Sequence, residues 1–201
     1  MRGIRTRGFG ALALTSVLAM AASMLLAASV SAQQLPERQG FFDIRSAATM
    51  LNEGVHELEA RLQLILSDEA LDALNSGVPL MIELDIEVIR VRGLWIDSLD
   101  ANLTFTYELE FRPLSQRYIV RNLNSGDQDS FSTLYSALNN LGRIQGLPII
   151  DDAVLESDSR YRLRLRARLS TRQYPAALRL LFFWRSQWQL ESEWYEWTLG
   201  R

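Results

Sequence analysis

The sequence predicts a mainly β protein, an antiparallel β-sandwich or open barrel of about eight strands with two short helices. Three observations lead there. Apolar and polar residues alternate over several separate stretches, the period of a strand with one buried face. Turn-forming residues punctuate these stretches at the short intervals of antiparallel folds. Only two segments carry firm helical spacing, too few for the strand-helix order of a parallel sheet.

The first 32 residues read as an export signal rather than as part of the fold. Arg2, Arg5 and Arg7 precede an apolar stretch over residues 9–28, and Val30-Ser31-Ala32 offers small residues before a cut. Cleavage after Ala32 leaves a single β-rich domain of 169 residues, Gln33 to Arg201. The alternative is an inner-membrane anchor, because residues 9–28 approach the ~20 apolar residues that span a bilayer. Export predicts a periplasmic or secreted protein. With 21 basic and 24 acidic residues the formal charge is −3. Losing the three leader arginines leaves 18 bases against 24 acids, near −6. That balance argues against nucleic acid as a partner, since phosphate binding needs a clustered basic surface.

The elements follow in order. In Val55 to Leu66, His56, Leu58, Ala60, Leu62, Leu64 and Leu66 share one parity, so this stretch is a half-buried strand. Phe42 to Leu51 is its hairpin partner, joined through the turn residues Asn52-Glu53-Gly54. A short helix follows, capped by Ser67, started by Asp68 and Glu69, and stopped by Gly77 and Pro79. It buries Leu71 and Leu74. From Leu80 to Val88 the even positions are apolar while Glu83, Asp85 and Glu87 take the other face. Ile89 and Val91 reverse the parity, which predicts a β-bulge.

Leu103 to Phe111 forms the next strand, and Arg117 to Asn122 returns after the Pro113 turn. A second helix is expected from about Ser130 to Leu141, closed by Gly142. The strictest alternation is Arg160 to Arg168, where Tyr161, Leu163, Leu165 and Ala167 oppose five arginines. Gln187 to Leu199 reads as a tryptophan-rich strand with a bulge near Trp194 and Tyr195. A strand running into a leucine-rich helix occurs twice, an echo too weak to be a repeat.

A resemblance joins these readings. Gly77-Val78-Pro79-Leu80, Arg90-x-Arg92 with Trp95-x-Asp97, and Phe111-x-Pro113-Leu114-x-x-x-Tyr118 stand in order along the chain. They are followed by Ser132-x-Leu134-x-x-Ala137-Leu138, the Tyr161 to Leu169 alternation, Pro175, and Trp188-x-Leu190-x-Ser192-x-Trp194. Together they resemble an uncharacterised family of exported proteobacterial proteins, a domain of unknown function. Its genes often sit beside a nitrogen-regulation-type sensor histidine kinase. The resemblance implies a compartment and a signalling neighbourhood, and it brings no catalytic residues.

The chemistry available is narrow. No cysteine occurs, which excludes a cysteine nucleophile, a lipidated cysteine and disulfides. His56 is the single histidine and lies on the apolar parity, so packing or a buried hydrogen bond is its expected role. There is no Gly-x-Ser-x-Gly elbow and no glycine-rich phosphate loop. Acid–base chemistry would fall to Asp151 with Asp152, Glu156 with Asp158, or Glu191, Glu193 and Glu196. A solvated acidic surface is the plainer reading. No cofactor, no metal site and no catalytic residue is predicted.

Two features are candidates for partner binding. Arg160, Arg162, Arg164, Arg166 and Arg168 present five guanidinium groups at ~6.6 Å intervals, able to grip an acidic partner. The favoured alternative pairs them with Glu83, Asp85 and Glu87, or with Glu108 and Glu110, across strands. Leu181, Phe182, Phe183 and Trp184 form the other candidate, an apolar run suited to a protein partner or peripheral membrane contact. The tryptophans also have a core reading, with Trp188 and Trp194 filling the interior. The leading function is therefore a non-enzymatic envelope interaction module that binds a protein such as a sensor kinase's external domain. The alternatives are a carrier of a hydrophobic or lipid-like ligand and a carboxylate-dependent hydrolase of envelope polymers.

Overall fold

Glu53 and Gly54 both adopt positive φ, 48° and 86°, and join Asn52 to Val55 in the two-residue turn that the right-handed twist of a hairpin favours. This hairpin opens the fold in the computed structural model, which describes residues 38–93, 95–170 and 190–200. Its strands are β1 (Phe41–Asn52) and β2 (Val55–Ile65), followed by α1 (Asp68–Asn75). Next come β3 (Leu80–Val91), β4 (Ser98–Arg112), β5 (Arg117–Asn122), β6 (Gln128–Phe131) and α2 (Leu134–Leu141). The chain ends with β7 (Arg143–Asp151), a 3-10 turn (Asp152–Val154), β8 (Arg160–Ser170) and β9 (Tyr195–Thr198).

These nine strands form two antiparallel sheets, one ordered β1-β2-β7 and the other β6-β5-β4-β3-β8-β9. The architecture is the open two-sheet alternative and not a closed barrel. One continuous hydrophobic cluster joins the sheets. The large sheet supplies Leu80, Ile82, Leu84, Ile86 and Val88 of β3 and Tyr161, Leu163, Leu165 and Ala167 of β8. The small sheet supplies Phe42, Ile44, Leu58, Ala60 and Leu64. Each set is the apolar parity of its strand, so the alternation has become the inner face of a sheet.

Both helices are crossings between the sheets, since α1 leads from β2 to β3 and α2 from β6 to β7. The echo in the sequence corresponds to these two crossings. Ser67 caps α1 by accepting from the Ala70 N–H, and Thr133 caps α2 by accepting from the Ser136 N–H. At the end of α2 the Leu62 N–H donates to the Gly142 carbonyl at 2.8 Å. A Cβ on Gly142 would stand 2.4 Å from the Leu62 oxygen, so only glycine admits this approach.

Four expectations need correction. The second helix begins at Leu134, because Ser130 and Phe131 pair instead with Ile119 and Tyr118 as part of β6. The parity of β3 does not reverse at Ile89. Its register with β8 is unbroken, and the extra residue is Asp100 on β4, between Ala101 opposite Val88 and Leu99 opposite Ile89. Leu71 is only half-buried, with Ala70 and Leu74 forming the buried face of α1. The tryptophan-rich segment is regular strand only from Tyr195, after a single bridge between Glu191 and Arg168. Its expected bulge is present. The pairing slips by one residue between that bridge and the Tyr195–Leu165 pair, which turns Trp194 to the outer face.

Candidate functional site

The outer face of the large sheet carries the arginine ladder, and its register explains what the arginines do. Across the β3–β8 pair, Arg168 stands opposite Glu83, Arg166 opposite Asp85 and Arg164 opposite Glu87. The side chains follow. Arg168 reaches Glu83 at 2.7 Å and Asp85 at 3.3 Å, Arg166 reaches Asp85 at 3.2 Å, and Arg164 reaches Glu87 at 2.6 Å. Glu83 and Asp85 are only 5% and 6% exposed, a depth that carboxylates tolerate when paired. Thr104 adds a hydroxyl donated to Asp85 at 2.9 Å.

Arg166 also meets Glu191, and Arg162 meets Asp97 at 3.2 Å and Glu196 at 3.4 Å. Trp194 lies beneath two of these cations, with Arg164 and Arg166 each 4.4 Å from its ring centroid. This corrects the core reading of Trp194. The alternative acids Glu108 and Glu110 pair elsewhere, with Arg121 and Arg112. Arg160, opposite Val91, is exposed and forms no ion pair among the described residues. Leu181, Phe182, Phe183, Trp184 and Trp188 lie outside the described residues.

His56 is 0% exposed, and its Nε2 lies 2.9 Å from Asp152 Oδ1. The pair ties β2 to the 3-10 turn, where the Asp152 N–H also donates to the Gly54 carbonyl. Two other candidate acids also hold structural partners. Asp151 accepts from the Ala153 N–H, and Glu156 binds Arg90 while accepting from the Ser159 hydroxyl. The Arg90 contact, followed by that of Ser159, holds the Glu156 carboxyl below its ordinary range, and the same contact raises Arg90. Among the described residues no group of three or more His, Asp or Glu side chains converges as metal ligands would.

Two sites without a strong sequence signal stand out in the structure. The first is the end of the sandwich formed by the β1–β2 hairpin, the β3–β4 connection and the β7–β8 connection. Hydrogen bonds join these loops, Asp152 N–H to Gly54 and Arg90 to Glu156. Met50, Leu51, Val91, Leu99, Trp95, Ile96 and Val154 are all exposed there, the last three at 81%, 91% and 73%. The signal in the sequence is slight, the apolar run Leu94-Trp95-Ile96 between Gly93 and Asp97. The second is a cavity of about 440 Å³ at the crossing helices. Leu62, Leu64, Leu66, Leu71, Leu134 and Leu138 line its wall, with Arg38, Gln63, Tyr135 and Asn139 also on the lining.

The fold and these surfaces define a two-sheet antiparallel β domain whose arginines are largely matched by its own acids. No helix among the described residues is long and apolar enough to cross a membrane. The chain belongs to the family described as a domain of unknown function (DUF4390), whose profile matches residues 40–198. Among curated proteins and among solved structures, nothing matches the chain significantly.

Proposed function

We propose that this protein is an exported, non-enzymatic interaction module of the cell envelope that docks a protein partner through its apolar loop end. The observation that carries the reading is a set of seven exposed apolar side chains on two connections and the strand ends beside them at one end of the fold. Exposed apolar side chains grouped at one end of a fold are costly to leave in water, and such groups mark contact surfaces in soluble proteins. Arg160 lies at the same end, opposite Val91, and adds a cation for an acidic group on the partner. The rest of the ladder meets acids of this chain, so it acts first as a register device for β3, β8 and β9. A sensor kinase's external domain is the kind of partner that the family resemblance implies.

Capture from envelope extract tests the reading, with parent and Trp95→Ser/Ile96→Ser variant run side by side after both are shown to be folded. A partner held by the parent and lost by the loop variant supports it. Retention by the loop variant with loss in a Phe182→Ser/Phe183→Ser/Trp184→Ser variant would move the surface to residues 181–184. Loss of the partner in neither variant would sink the apolar reading altogether. Export has its own check, since sequencing the amino terminus of the protein recovered from the periplasm should begin at Gln33. A full-length chain in the membrane fraction would favour the anchor.

A further inference from the structure

We infer that the cavity between the crossing helices is a binding site for the acyl chain of a single-tailed anionic amphiphile, with Arg38 as its headgroup contact. The inference is independent of the docking surface, because a different set of residues at the helix crossings carries it. The chemistry follows from the lining. Six leucines from β2, the residue just beyond it, α1 and α2 form a wall able to strip water from a hydrocarbon and offer it no hydrogen bond. At about 440 Å³ the space falls within the range of small-molecule sites.

Arg38 is the one charged side chain among the lining residues, so the charge on the lining itself is a cation. Asp68 is its ion-pair partner. Asp68 Oδ2 accepts from the Arg38 backbone N–H at 2.6 Å, while the guanidinium Nε lies 4.0 Å from Asp68 Oδ1. At 4.0 Å the two charges attract without a hydrogen bond, and the Arg38 side chain is 62% exposed, so an anion at the cavity would compete with Asp68 for it. Gln63 and Asn139 supply amides on the lining, and Tyr135, 79% exposed, supplies an aromatic ring and a hydroxyl. An apolar wall with one cation and several neutral polar groups matches a carboxylate or phosphate on a single alkyl chain. It fits a polyanion poorly, since only one arginine is present.

The cavity also has a reason to persist. Gly142 presses α2 to β2 backbone against backbone, and Ser67 fixes the start of α1, so each helix has an anchor of its own. Leucines on rigid elements cannot collapse to fill the space without breaking those contacts.

Protein recovered from cells expressing the full 201-residue chain is first delipidated. It is then titrated with a dansyl-labelled undecanoic acid, with dodecanoate and dodecanol as competitors. The expected result is saturable binding of one probe per chain, displaced by dodecanoate more strongly than by dodecanol. Arg38→Ser should weaken dodecanoate about tenfold and leave dodecanol unchanged, the loss of one charge-assisted contact. Leu138→Trp should abolish probe binding by filling the cavity. Asn139→Trp, at an exposed position on the same lining, covers the case in which Leu138→Trp does not fold. Absence of saturable binding, equal binding by a folded cavity-filled variant, or equal loss of acid and alcohol in Arg38→Ser would each overturn the assignment. None of these results depends on the loop end or on any protein partner.

Discussion

Removing the Glu83 carboxylate would leave the Arg168 guanidinium on a face where both groups are largely withdrawn from water. Their side chains are 6% and 16% exposed. An orphaned buried charge costs about 3–5 kcal/mol in the strict case. Asp85 remains within 3.3 Å of Arg168, so Glu83→Ala should cost less, about 2 kcal/mol in urea unfolding. Replacing both partners with leucine should recover most of that loss, because an apolar pair requires no desolvated charges. The double-mutant cycle measures the coupling, and a value near zero would show that the ladder stabilises nothing. That the arginines would meet acids across strands was legible in the sequence, which offered Glu83, Asp85 and Glu87 or else Glu108 and Glu110 and did not choose between them. Odd-numbered acids on one strand and even-numbered arginines on another can meet in register only if the two strands are neighbours. What the alternation could not give was Trp194, whose face depends on a one-residue slip that side-chain parity leaves free to fall on either side.

At the scale of elements, the strands that could be read are those with one face in the core. Those that could not are β6 and β7. β6 has four residues and no buried position, so it has no periodicity to detect. β7 contains Gly146 at φ 62° and Pro148, and its register with β2 slips twice, between His56 and Glu57 and between Leu58 and Ala60. Each slip moves the side chains to the other face and erases the alternation. Proline is tolerated because β7 is an edge strand. Two consequences can be measured. Gly142→Ala forces a Cβ against the Leu62 carbonyl and should cost about 1–3 kcal/mol. Gly54→Ala has open space, so only its positive φ opposes it, and the cost should be about 1 kcal/mol. The Arg90–Glu156 link has a pH signature. Glu156 titrates below its ordinary value when folded, so its contribution is complete above the unfolded carboxylate range and is lost as pH falls through the lowered value. The parent's melting temperature should therefore fall further than that of Glu156→Gln on acidification below about pH 4.5. Identical acid profiles would show that the link does not hold the β7–β8 connection.

For the whole molecule, the proposed docking end lies apart from the faces that carry stability, and that separation can be tested. The inner faces carry the fold, so Leu84→Ala should cost about 3 kcal/mol by opening a cavity between the sheets. Trp95→Ser with Ile96→Ser removes side chains that touch mostly solvent and should shift stability by less than about 0.5 kcal/mol. Salt then distinguishes an apolar docking end from an arginine-led one. Raising NaCl from 0.1 M to 1 M shortens the screening length from about 10 Å to about 3 Å, which weakens attraction to exposed guanidinium groups and leaves burial of apolar surface intact. Sulfate strengthens burial further, because it is excluded from protein surface. If the loop end docks the partner, capture should survive 1 M NaCl, increase in sulfate and vanish in the Trp95→Ser/Ile96→Ser variant. The opposite pattern, loss in NaCl with indifference to the loop substitutions, would assign recognition to the exposed end of the ladder at Arg160. The apolar loops would then be left without a binding role.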